Sequence, residues 1–261
     1  YNTSLTRTIP TALSVARNNL AATSIGNYAL FGGGYNRDAT AYDVVDAYNT
    51  SLTKTIPTAL SVARRKLAAT SVGNYALFGG GSGNGYRATV DAYNTSLTRT
   101  TITDLSVARW ELTATSVGNY ALFGGGRISE GLFNYVYYNT VDAYDASLTR
   151  TNPTVLSEAK NSIAATSVGN YALFGGGMGS GSYATVDAYD ASLTRTNPTA
   201  LSTSTSRALS ISVGNYAVFI INGSDMITDV YNQSLTKTSS KDANRGWHDR
   251  GGATTVGNYA L

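Results

Sequence analysis

Short apolar and polar stretches recur along the chain in one order. In a representative copy, LAATSV (Leu67 to Val72) is a run of small and β-branched residues, Gly73-Asn74 interrupts it, and YALFGG (Tyr75 to Gly80) follows. Gly and Asn tolerate the positive φ angles of a two-residue hairpin loop, so the two runs predict a pair of antiparallel strands. Beyond a variable loop, ATVDAY (Ala88 to Tyr93) alternates apolar and polar positions as a half-buried strand does. Asn94-Thr95-Ser96 then turns the chain into LTRT (Leu97 to Thr100), a fourth strand. The stretch IPTALSVAR (Ile56 to Arg64) carries a proline and no alternation, and it predicts a crossover to the next unit.

The unit repeats. GNYA preceded by Ile or Val occurs six times, with its glycine at Gly26, Gly73, Gly118, Gly169, Gly214 and Gly257, so successive copies lie 47, 45, 51, 45 and 43 residues apart. A helical repeat of this length would need apolar spacings of three and four, which are absent. Four strands per period in the mid-forties predict an all-β fold, a six-bladed β-propeller with four-stranded antiparallel blades. The blades of this single domain, 1–261, span approximately 18–56, 65–101, 110–152, 161–197, 206–239, and 250–261 together with 1–8. The chain starts with an outer strand pair and ends with an inner pair. The N- and C-terminal strands are therefore expected to share one blade, closing the ring and removing free sheet edges. Leu261 lacks the usual FGGG and Tyr1 the usual VDA, so the native polypeptide is expected to continue at one or both ends. The sequence starts at Tyr1 rather than Met, with no signal-peptide pattern.

A return strand ending in double glycine, a strand bearing Asp and Tyr, and a crossover ending in Arg before a small-residue strand together resemble the kelch-repeat family. The resemblance spans the chain and is greater to bacterial and phage kelch proteins than to animal adaptors. Two features depart from it: the family's fourth-strand Trp is missing, and Phe219-Ile220-Ile221-Asn222 replaces the double glycine. The resemblance implies that the small-residue strand is innermost, which suits Ala21, Ala22, Ala68 and Ala69.

Composition narrows the chemistry. Only 13% of residues are charged, and 19 basic against 16 acidic residues give +3 with no like-charge run, so nucleic acid is not an expected partner. Without cysteine, disulfides and thiolate chemistry are excluded. Apolar stretches are strand-sized, so no membrane insertion is expected. The kelch family includes copper oxidases with a Cys-linked Tyr and His ligands, which a chain with no Cys and one histidine, His248, cannot supply. Glu111, Glu130 and Glu158 share no spacing that suggests paired carboxylates. Asp46, Asp91, Asp142, Asp187 and Asp229 recur at one strand position, and Arg17, Arg64, Arg109 and Lys160 at one crossover position, as structural residues would. The GGG runs precede strands rather than a helix, which argues against a phosphate loop. Asn2, Asn49, Asn94, Asn222 and Asn232 lie in glycosylation-type triplets that turn formation explains. No catalytic, metal or cofactor site is expected.

Because the units are so alike, the positions that differ among them stand out. One set precedes the small-residue strand: Asn18-Asn19, Arg65-Lys66, Trp110-Glu111, Asn161-Ser162, Ser206-Arg207 and Asp249-Arg250. The other lies in the loop after the glycines and includes Tyr35, Arg37, Tyr86, Arg87, Arg127, Phe133, Tyr135 and Tyr183. In peptide-gripping kelch proteins these two positions line one central face, so the resemblance implies a ligand-binding face carrying Arg, Lys, Tyr, Trp, Asn and Ser. The expected function is non-catalytic recognition or scaffolding, with a protein or glycan ligand or other chains of a larger assembly as partners, in an extracellular or virion-associated setting. The alternative is a kelch-fold enzyme acting on a sugar such as a sialic acid, with converging acids around His248, Asp249, Arg207 or Arg250.

Overall fold

The computed structural model describes residues 2–131, 134–206, 208–222, 226–242, 255–256 and 259–260, all strands and loops without a helix. Unit 1 comprises β1 (Ala21–Ile25), β2 (Tyr28–Gly32), β3 (Val45–Asn49) and β4 (Lys54–Thr55). Unit 2 comprises β5 (Ala68–Val72), β6 (Tyr75–Gly79), β9 (Val90–Asn94) and β10 (Arg99–Ile102), with a small hairpin of β7 (Ser82–Gly83) and β8 (Gly85–Tyr86) between its second and third strands. Unit 3 has β11 (Thr113–Val117), β12 (Tyr120–Gly124), β15 (Val141–Asp145) and β16 (Arg150–Thr151), and its loop forms the hairpin β13 (Arg127–Gly131) and β14 (Asn134–Tyr137). Unit 4 is β17 (Ala164–Val168), β18 (Tyr171–Gly175), β19 (Val186–Asp190) and β20 (Arg195–Thr196). Unit 5 is β21 (Leu209–Val213), β22 (Tyr216–Asn222), β23 (Met226–Asn232) and β24 (Lys237–Asp242). A last pair, β25 (Thr255–Val256) and β26 (Tyr259–Ala260), follows.

Each unit is a four-stranded antiparallel sheet in sequence order, giving five such sheets among the described residues. The first strands of successive units lie against one another: β1 on β5, β5 on β11, β11 on β17, β17 on β21, and β21 on both β25 and β26. Small residues on these strands permit that approach. The third strand is the most enclosed; in unit 2, Val90, Asp91, Ala92 and Tyr93 are all fully buried.

Three repeated contacts hold the frame. Within each unit a Phe on the second strand meets a Tyr on the third edge-on, as in Phe78–Tyr93 with centroids 5.9 Å apart. The Tyr hydroxyl donates to a crossover carbonyl, Tyr93 to Thr58 at 2.7 Å and Tyr144 to Thr103 at 2.9 Å. Between units, that Phe fills the space left by a glycine of the preceding unit: Phe78 against Gly32, Phe123 against Gly79, Phe174 against Gly124, Phe219 against Gly175. The third contact is a buried ion pair joining the incoming crossover to the third strand of the same unit: Arg17–Asp46 at 2.8 Å, Arg64–Asp91 at 2.9 Å, Arg109–Asp142 at 2.8 Å and Lys160–Asp187 at 3.4 Å.

The backbone of the same crossover residue reaches the other way. The carbonyls of Arg64, Arg109 and Lys160 each accept from a glycine of the preceding unit, Gly34, Gly81 and Gly126, at 2.9 Å. The basic residue therefore ties its own unit through its side chain and its neighbour through its backbone.

Two local details differ from the sequence pattern. LTRT reads as a strand from Leu97, but Leu97 has φ 62° and belongs to the turn; the strand starts at Arg99. The Asn94 carboxamide accepts backbone N–H groups from Ser96 and Thr98, closing the turn around the leucine. In unit 5, the loss of the double glycine lengthens both second and third strands to seven residues.

Candidate ligand-binding face

The two variable sets are neighbours by backbone pairing. Asn18 bridges Tyr35, Arg65 bridges Ser82, Trp110 bridges Arg127, and Asn161 bridges Met178, each joining the start of an inner strand to the loop after the glycines. The second member of each pair has a left-handed backbone: Asn19 (φ 51°), Lys66 (52°), Glu111 (54°) and Ser162 (52°). Non-glycine residues seldom adopt this conformation. Here it lets each residue bond across units, the Lys66 N–H to the Asn19 carbonyl at 2.9 Å and the Glu111 N–H to the Lys66 carbonyl at 3.1 Å.

These residues converge on one cavity of about 820 Å³. Its wall takes Asn18, Asn19 and Tyr35 from unit 1, Lys66 from unit 2, Glu111 and Arg127 from unit 3, Asn161, Ser162 and Met178 from unit 4, and Ser206 from unit 5. Leu20, Leu67, Leu112 and Ile163, the residues just after each variable pair, supply apolar lining. Sequence reasoning passed over this apolar lining; its signal was an aliphatic residue at the same place in four units.

The cavity is electrostatically organised around Glu111. Lys66 donates to one carboxylate oxygen, while Arg127 Nε lies 2.6 Å and Asn161 Nδ2 2.6 Å from the other. Burial alone would raise the Glu111 pKa, but the hydrogen bond and charge of Lys66 and the charge of Arg127 outweigh it and hold the carboxyl below its usual range. Aromatic rings brace the cations: Lys66 Nζ sits 4.1 Å from the Trp110 ring centre, and Arg127 sits 4.1 Å from that of Tyr135. Asn161 is 1% exposed, and its Oδ1 has no hydrogen-bond partner among the described residues. A buried amide oxygen left unpaired at a cavity wall is suited to accept from a ligand.

The remaining candidates lie around this centre. Arg65 stacks over Tyr35 at 4.4 Å, and Arg65 and Arg87 line a separate cleft between units 1 and 2. The Tyr86 hydroxyl accepts from the Ser129 N–H at 2.9 Å, docking the β13–β14 hairpin onto unit 2, and its ring leans on Trp110. Tyr183 bridges Thr205, and its hydroxyl meets Ser180. Arg37 is exposed on its loop, apart from the residues of the cavity wall. Phe133, Arg207, His248, Asp249 and Arg250 lie outside the described residues.

Among the described residues, no group of three or more His, Cys, Asp or Glu is placed to hold a metal, and no helix is long and apolar enough to cross a membrane. In comparisons with known proteins, no family model and no curated protein matches the sequence.

Proposed function

We propose that the chain is a non-catalytic recognition or scaffold module, a closed six-bladed propeller of kelch-like repeats that holds a protein or glycan on its loop face. The observation that carries this reading is the convergence of the variable positions of five units on one cavity, above a frame of repeated, fully buried contacts. A surface whose side chains change from unit to unit over an unchanging support suits ligand selection. The face is aromatic, basic and amide-bearing, a composition suited to polar ligands. An extracellular or virion-associated assembly is the setting we infer.

Ring closure draws support from unit 1. Leu97, Leu148, Leu193 and Leu235 each pack on the core of the preceding unit, whereas the matching Leu52 is 43% exposed among the described residues. Ala29 is likewise exposed where Ala76, Ala121, Ala172 and Ala217 are buried. Unit 1 thus presents the face that every other unit covers with a predecessor, and a sixth unit built from both termini fits it.

The test is a glycan-array and cell-surface binding screen of the purified chain, repeated with Trp110→Ala and Lys66→Ala. Specific binding lost in folded variants supports recognition on this face. Binding that both variants retain in full places recognition elsewhere, and turnover of a bound sugar would favour the enzyme reading.

A further inference from the structure

The cleft between units 1 and 2 is chemically unlike the central cavity. Ala39 and Ala41 of unit 1, the crossover residues Val62 and Ala63, and Arg65, Gly83, Asn84 and Arg87 of unit 2 enclose about 410 Å³. Among the described residues two arginines line it and no carboxylate does. Among the described residues neither arginine has an ion pair, although Arg17, Arg64, Arg99, Arg109, Arg127, Arg150 and Arg195 all do.

Both groups are held in place. The Arg65 guanidinium carbon lies over the Tyr35 ring, 4.4 Å from its centre. One terminal nitrogen of Arg87 donates to the Asn84 carbonyl at 2.7 Å, while its buried Nε has no hydrogen-bond partner among the described residues. A buried donor without a partner is destabilising unless something pairs it. The repeat shows how unusual the pairing is. Arg87 donates its backbone N–H to Gly81, as Tyr42 does to Gly34, Tyr138 to Gly126 and Tyr183 to Gly177, so an arginine stands where three other units have tyrosine. Arg65 likewise stands where other units have Asn18, Trp110 and Asn161. Both departures fall in one unit and face one cleft.

We propose that this cleft is a binding subsite for a single oxyanionic group, a carboxylate, sulfate or phosphate, gripped by Arg65 and Arg87. The planar guanidinium fork matches such groups with paired, charge-assisted hydrogen bonds. Holding the two forks in advance by Tyr35 and Asn84 lowers the ordering cost of binding. The site does not depend on the identity of the larger ligand, or on ring closure, because both walls belong to described neighbouring units.

Isothermal titration of the full chain at constant ionic strength tests it, with sodium phosphate and sulfate in one arm and acetate, glucuronate and N-acetylneuraminate in the other. Saturable binding of at least one probe is expected, with a dissociation constant on the order of 1 mM. Which arm binds more tightly tells a phosphate or sulfate ligand from a carboxylate one. Arg87→Gln and Arg65→Gln should each weaken that binding about tenfold or more, with far-UV circular dichroism unchanged, while Arg7→Gln, which removes an exposed charge from the N-terminal segment, leaves it intact. The proposal fails if no probe saturates, if both cleft variants bind as the parent does, or if Arg7→Gln weakens binding equally.

Discussion

The Phe78 ring lies so close to Gly32 of the preceding unit that a Cβ on residue 32 would stand 2.8 Å from its Cε1. The same pairing recurs at Gly79 and Phe123, at Gly124 and Phe174, and at Gly175 and Phe219. These glycines have ordinary backbone angles, so their requirement is space rather than conformation. Gly79→Ala should therefore destabilise the chain by about 1–3 kcal/mol through overpacking. Urea denaturation checks this, and Gly79→Ala combined with Phe123→Leu should recover part of the loss.

The ion pairs give a second test, because the repeat has already made the substitution. Where Arg64 and Arg109 are preceded two positions earlier by Val62 and Val107, Lys160 is preceded by Glu158. Arg109 also donates to the carbonyls of Val107, Phe123 and Gly125. The Lys160 amine instead meets Glu158 at 3.5 Å and Thr185 at 3.0 Å, as well as Asp187. Glu158 thus gives the lysine amine a carboxylate acceptor two positions earlier, where Arg109 reaches the Val107 carbonyl. Arg109→Lys should cost about 2 kcal/mol by leaving acceptors unpaired, and adding Val107→Glu should restore a coupling of about 0.5–1.5 kcal/mol in a double-mutant cycle. Arg109→Met, which takes from the buried Asp142 its closest cation and leaves it the Ser106 and Asn152 hydrogen bonds, should cost about 3–5 kcal/mol.

The tyrosine hydroxyls set an alkaline limit. Burial, then the charge of the neighbouring Asp, raises the pKa of Tyr93, Tyr144, Tyr189 and Tyr231. A group whose folded pKa lies above its unfolded value, roughly 10 for Tyr, contributes stability that is complete below that value and is lost as pH rises through the folded one. Stability should be flat near neutrality and fall steeply above about pH 10. Tyrosinate absorbance of these four residues should appear together with unfolding; their ionisation in the folded chain at pH 10 would contradict the burial argument.

Ring closure is open to a mutational comparison. Leu97→Ala should cost about 1–2 kcal/mol, since the side chain packs on unit 1. In a closed ring Leu52→Ala costs a similar amount, because a sixth unit covers it. A change within about 0.5 kcal/mol of the parent would mean that this face is open.

The period, the hairpins and the crossovers were legible because each unit repeats the same local chemistry in sequence. The variable pairs and loops were legible for the same reason, as departures from it. The left-handed turn at Leu97 was not, since a leucine between threonines and serines reads as strand, and the Asn94 side chain that shapes the turn acts through backbone N–H groups. The Phe78–Gly32 contact was hidden because it joins residues 46 positions apart in different sheets. Arg65 and Arg87 were each visible as variable, but their shared cleft depends on a loop fold that spacing does not encode.

The central claim is that several units act on one ligand. The most direct measurement is the equilibrium affinity of the ligand from the binding screen for Lys66→Ala, Trp110→Ala and Asn161→Ala, from units 2, 3 and 4, beside Tyr216→Ala on an exposed hairpin of unit 5. The account predicts that each of the first three weakens the same ligand about tenfold or more, roughly 1.4 kcal/mol, while Tyr216→Ala leaves it unchanged. Parent-like affinity in the three face variants, or a loss confined to Tyr216→Ala, would contradict it.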